Sequence, residues 1–260
     1  MITILAPAKT LDFDSPVPTA GSTIPAFLDD AEQIVELLRG YDAAALSELM
    51  KLSPSLSDLN AERNTRWSRQ VHETDDAGRS ESRQAIYAFK GGVYQGFAAE
   101  ELSQDRIGFA QDHLRILSGL YGVLRPLDRI MPYRLEMATS LENPRGANLY
   151  AFWGSRIARH LKDSLVGSAS PVIINLASQE YFRAVDTKHL GVPVITPVFK
   201  EQRTGGLRVI GVHAKRQRGR MARWIVENGI DRPEAIREYA LDGYSYAPER
   251  STEEEWAFLR

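Results

Sequence analysis

Residues 1–5 are apolar but for Thr3, which predicts a short buried strand at the start of the chain. Apolar positions then recur at helical intervals over residues 26–39, 43–52 and 57–67. Residues 74–83 are polar and read as a loop. Ser103 is placed to cap a helix, with Leu102 and Ile107 spaced as a hydrophobic staple; Ile107, Ala110, Leu114 and Leu117 carry the helical period on to Gly119. Residues 148–165 predict a helix with Phe152, Ile157, Leu161 and Leu165 on its inner face. Residues 171–176 form a short β run. Residues 193–199 and 207–212 are β-rich and are joined through Arg203-Thr204-Gly205-Gly206 as a hairpin. A helix over 219–228, ended by Gly229, and a terminal β segment around Tyr244 and Phe258 complete the series. No linker, repeat or low-complexity tract divides these elements. The expectation is one domain over residues 1–260, of α+β type, with a mixed, partly antiparallel β core surrounded by helices.

Composition adds exclusions. Of 260 residues, 43% are hydrophobic and 25% charged, the balance of an ordinary globular protein. The absence of cysteine excludes disulfides, thiolate nucleophiles and cysteine-ligated zinc or iron–sulfur centres, so a thiol-based peroxide sensor is excluded too. No basic leader precedes the first apolar run and no stretch of eighteen apolar residues occurs; the expected location is the cytoplasm, with no membrane partner. The net charge of −2 argues against a uniformly basic nucleic-acid binder. Charge is unevenly spread, however. Lys215, Arg216, Arg218, Arg220 and Arg223 fall within residues 213–223 without an acid, whereas Glu253, Glu254 and Glu255 stand in a row. At about 100° per residue, Arg216, Arg220 and Arg223 share one helix stripe, and Met221, Ala222, Ile225 and Val226 lie opposite. Arg218 points towards the packed side, so it precedes the helix or reaches into a cleft.

The densest chemistry lies in residues 113–137, where Arg115, Arg125, Arg129 and Arg134 surround Gly119 and Gly122. Guanidinium forks onto phosphate or carboxylate, and glycine lets backbone approach a ligand, so an anionic partner is one reading. Pairing of the arginines with Asp112, Asp128 and Glu136 on a solvated turn is the other. Gly119-Leu120-Tyr121-Gly122-Val123 is similar to the turn of a helix-hairpin-helix module, with two residues between the glycines where that module has one, and Pro126 and Pro132 leave room for only a short second helix. Lys9 follows the first strand and Lys90 precedes Gly91-Gly92; each can neutralise phosphate or, if desolvated, act as an amine. Asn175, Ser178, Glu180 and Tyr181 follow a β run and are candidates to line the same cleft. No phosphate loop, dinucleotide fingerprint or serine elbow is present, and the five histidines lack metal-ligand spacing, so no cofactor or metal is expected.

Ala6-Pro7-Ala8-Lys9-Thr10-Leu11-Asp12, Ala88-Phe89-Lys90-Gly91, residues 113–137, Asn175-Leu176-Ala177-Ser178 and Ala214-Lys215 together resemble the YaaA family of bacterial peroxide-stress proteins, from Met1 to about Tyr246. Gly92 departs from the family pattern, which has an acidic residue there. The resemblance implies a cytoplasmic DNA-binding protein that limits oxidative damage, on a distinctive mixed α and β fold. The expected partner is duplex or branched DNA, held through phosphate with little sequence specificity by Lys9, Lys90, the arginine turn and the basic helix. The alternative is a glycosylase-like or lyase-like enzyme using Lys9 or Lys90 as the amine and Glu136 or Asp128 as the acid. An iron-handling role has only the acidic C-terminus behind it.

Overall fold

The structure, a computed structural model, describes residues 1–18, 21–73 and 81–260. Its centre is an eight-stranded mixed sheet. The wholly buried strand Ile2–Leu5 pairs in parallel with Leu114–Ser118 on one side and Ile173–Asn175 on the other. Val194–Arg203 pairs in parallel with Ile173–Asn175, and Glu255–Leu259 joins in parallel beyond it. Strands buried on both faces read as near-continuous apolar runs, the pattern of residues 1–5 and 171–176, interrupted only by Thr3 and Asn175. Antiparallel strands occupy the margins: Gly122–Leu124 on Leu114–Ser118, Ser245–Tyr246 on Glu255–Leu259, and Gly206–Arg208 folded back on Val194–Arg203 through the expected glycine turn. One domain of mixed α and β structure, with helices around the sheet, is what the pattern predicted.

Several elements differ from their expected form. The helix capped by Ser103 spans Gln104–His113 and stops there; Leu114 and Leu117 belong to the strand that follows. Helical and strand periods both fit a short apolar run, and sheet pairing decided this one. The glycine turn is therefore entered by a strand and left by a strand, as a β-hairpin rather than a helix-hairpin-helix. Residues 148–165 form two helices, Leu149–Trp153 and Arg156–Asp163, because Gly154 takes a positive φ between them; Phe152, Ile157, Leu161 and Leu165 are nonetheless buried together. The basic helix begins eight residues earlier than expected and spans Gly211–Glu227, and β pairing after the glycine turn ends at Arg208. In the expected loop 74–83, residues 74–80 lie outside the described residues, and Arg83 begins the short strand Arg83–Gln84.

Candidate functional site

Two parallel strands deliver the site. Beyond Leu5 the chain runs through Ala6 to Lys9, and beyond Asn175 through Leu176 to Ser178, so both segments leave the carboxyl edge of the sheet together. That edge is where open α/β sheets bind ligands. Thr10–Leu11 then pairs antiparallel with Phe89–Lys90, Thr10 opposite Lys90, and this ribbon brings the two lysines to one rim. The Tyr94 hydroxyl donates to the Ala6 carbonyl at 3.0 Å and pins the helix Gly92–Phe97 against the strand end.

The basic helix closes the other side by an unusually intimate crossing. A Cβ on Gly219 would lie 1.8 Å from the Val93 carbonyl oxygen, and one on Gly96 would lie 2.3 Å from that of Arg216. Each glycine thus admits the backbone of the other helix. This reciprocal contact sets Lys215 and Arg218 beside Lys90, Gly91 and Gly92. An isolated glycine within the amphipathic 211–227 pattern was the visible signal of a close approach; its partner could not be read from the chain.

The result is a cleft of about 470 Å³ whose lining includes Lys9, Lys90, Lys215, Arg218, Glu136 and Glu180. Lys9 pairs with Glu136 at 2.8 Å, and its side chain is 62% exposed. Lys90 pairs with Asp12 at 3.0 Å. Asp12 also accepts from the Ser15 amide and hydroxyl and from the Asp14 amide, and these bonds, the Ser15 amide foremost, hold its carboxyl well below the usual range. Lys215 and Arg218 have no ionic or hydrogen-bonding partner among the described residues, although burial pulls the Arg218 guanidinium below its ordinary value. A half-buried guanidinium stays charged and favours a specific partner. Gly92 contributes directly: a Cβ there would stand 3.5 Å from that of Lys215, so the acid of the family pattern is missing at the position next to this lysine. Tyr181 and Ser178 complete the wall, while Asn175 is committed to Thr196 and to the Ala177 amide.

The remaining expected site residues lie elsewhere or are already engaged. Arg115 is buried and donates through Nη1 to the carbonyls of Gln111, Asp112 and Leu114. Arg125 holds the buried Asp128, which also accepts from Thr23 at 2.6 Å; desolvation raises the Asp128 carboxyl while those bonds oppose the rise. Asp128 is therefore not a cleft acid. Arg129 donates to Ser82, and Arg134 pairs at 3.2 Å with Glu136, the carboxylate that also holds Lys9. Gly119 and Gly122 are buried, so their amides do not face a phosphate: a Cβ on Gly119 would lie 2.4 Å from the Leu135 carbonyl oxygen, and one on Gly122, at φ 66°, 2.7 Å from the Trp153 ring. On the basic helix, Met221, Ala222, Ile225 and Val226 are buried as expected, but the opposite stripe is largely paired. Arg220 binds Asp242 at 2.9 Å; Arg223 binds Glu101 and Glu227 and caps the carbonyls of Phe97 and Ala98. Arg216 remains exposed. Among the described residues no group of three or more His, Asp or Glu side chains is placed to hold a metal ion, and no helix is long and apolar enough to cross a membrane.

Comparison with known proteins agrees with this reading of the motifs. The family model described as "Peroxide stress protein YaaA" matches residues 1–250. The chain is 48% identical to a UPF0246 protein of Hahella chejuensis and 47% identical to one of Caulobacter vibrioides, each over 260 residues, covering all of this chain and 99% of the relative. A UPF0246 protein of Paraburkholderia phytofirmans is 46% identical over 262 residues, again across the whole chain and 98% of the relative.

Proposed function

This chain belongs to the family of the peroxide stress protein YaaA, and from that membership and the cleft we propose that it serves the peroxide stress response by binding DNA. The observation that carries the reading is the pair Lys215 and Arg218, two cations without partners among the described residues, in a cleft whose other two cations, Lys9 and Lys90, are already held by carboxylates. A surplus of fixed positive charge at the carboxyl edge of the sheet suits a phosphodiester backbone. The lining offers no helix laid out to read base edges, so duplex or branched DNA of any sequence is the expected ligand. With no cysteine in the chain, no thiol of this protein senses or reduces the oxidant.

A lyase reading needs an unprotonated lysine in a dry pocket beside a carboxylate. Lys9 has the carboxylate, Glu136, but stands mostly in water. The test is direct: the protein is titrated with unrelated duplexes and a four-way junction, then treated with borohydride in the presence of abasic DNA. Similar affinities for all sequences and no covalent adduct are expected. A trapped adduct that disappears in Lys9→Arg would replace the binding reading with the enzymatic one.

A further inference from the structure

Behind Lys90, and sharing Lys90 and Tyr94 with the cleft, lies a second pocket of about 390 Å³. Two of its lining side chains are more than nine-tenths buried and carry polar atoms without a protein partner among the described residues: Arg83, whose Nε is unbonded, and Tyr87, whose hydroxyl is unbonded. Among the described residues Arg83 makes one long contact, 3.5 Å, from Nη2 to the Pro16 carbonyl. Buried donors left unmade are costly, and a cluster of them beside a cavity marks where a ligand's polar edge belongs. Ile86 and Phe89 supply apolar walls, and Asp12 and Glu100 stand at the same pocket.

This mixture discriminates between ligands. Two carboxylates repel a second phosphate, yet they accept from exocyclic amino groups, while Arg83 and Tyr87 donate to ring nitrogens or carbonyls. Apolar walls beside polar donors and acceptors suit a heterocycle, and the volume is that of a small-molecule site, too small for a duplex. We propose that this pocket receives one unpaired nucleobase from the strand whose phosphate lies in the adjoining cleft, an inference that rests on the DNA-binding reading. Lys90 would stand between the two subsites, its ammonium shared by Asp12 on the base side and the phosphate on the other.

The experiment places 6-thio-2′-deoxyguanosine, whose base carries an exocyclic amino group, opposite an abasic site in a short duplex, irradiates the complex with near-ultraviolet light, and maps the adduct by mass spectrometry. Adducts on Tyr87 or Phe89 are expected, and they should vanish when the same nucleotide is paired with cytosine. In Tyr87→Phe, which keeps the ring, the ratio of affinity for the abasic-opposed duplex over the intact duplex should fall about three- to tenfold, the worth of one hydrogen bond. A complex that forms normally but gives no adduct within residues 83–90, or an unchanged ratio in Tyr87→Phe, would overturn the base pocket and leave DNA binding standing. Failure to form a complex with any DNA would overturn both.

Discussion

Arg115 and Arg218 are both guanidiniums pulled below their ordinary value by burial, and they differ in what surrounds them. Arg115, in the strand that enters the glycine hairpin, has three backbone carbonyls on one nitrogen, whereas Arg218 enters the cleft with no partner among the described residues. The same contrast holds for the regions around them. In residues 113–137 every arginine is bonded to protein, and the hairpin they brace is locked by Tyr121, whose hydroxyl accepts from Trp67 at 2.9 Å and from the Met131 amide at 3.2 Å and meets His72 at 3.0 Å. In the cleft, half of the four cations are unpaired. Density of charge in a sequence thus marks architecture as readily as function, and an unmet partner is the better guide to a ligand.

If the hairpin is architecture, damaging it should cost stability before anything else. Gly122→Ala places a Cβ against Trp153 and holds alanine in the left-handed region; strain and overpacking together amount to about 4 kcal/mol, a fall in Tm on the order of 10 °C. Differential scanning calorimetry measures it. DNA affinity per folded molecule should stay unchanged, and a loss of affinity at full stability would return the turn to the binding surface.

The same region carries a pH dependence. Burial pushes the His72 imidazole down to about 4, from an ordinary value of 6.5. The unfolded chain accepts a proton near 6.5 while the folded protein refuses it until about 4. Stability is therefore complete above pH 6.5 and declines as pH falls through that window, by up to about 3 kcal/mol. Urea unfolding at a series of pH values should show a shallower decline in His72→Gln than in the parent. Identical slopes would mean that the imidazole is hydrated in the folded state.

How much of this was legible depends on what kind of information each feature needs. Strand Ile2–Leu5, the Ser103 cap and the buried face of the basic helix depend on local periodicity, and all were readable. Leu114 and Leu117 satisfied a helical spacing and were claimed by the sheet, because pairing with Ile2–Leu5 is a long-range fact. Lys9, Lys90, Lys215 and Arg218 were each visible as candidates. Their meeting in one cleft was expected, but not the means, which is that Gly96 and Gly219, 123 positions apart in the chain, open one helix crossing. Arg83 and Tyr87 lay outside every motif, and it is the meeting of their unbonded atoms at one pocket that singles them out.

A smaller effect sharpens the contrast from the side of the cleft. Gly92 has no positive φ, and its Cβ direction faces that of Lys215, so Gly92→Asp should supply the missing acid without backbone strain. An exposed ion pair of this kind is worth about 1 kcal/mol at most, and DNA affinity should weaken by about fivefold or less at low salt. Fluorescence anisotropy with a labelled duplex is sensitive enough to detect it. Unaltered affinity would show that Lys215 does not meet the ligand.

The central claim is that phosphate is held by the unpaired cations of the cleft and not by the arginine-rich hairpin. It is tested by the slope of log affinity against log salt concentration for one duplex. Lys215→Gln/Arg218→Gln should flatten that slope by about 1.8, since each lost phosphate contact removes roughly 0.9 from its magnitude. Arg125→Gln, which perturbs the hairpin's pairing with Asp128, should leave the slope as it was. An unchanged slope in the double variant, or a flattened one in Arg125→Gln, would contradict the account.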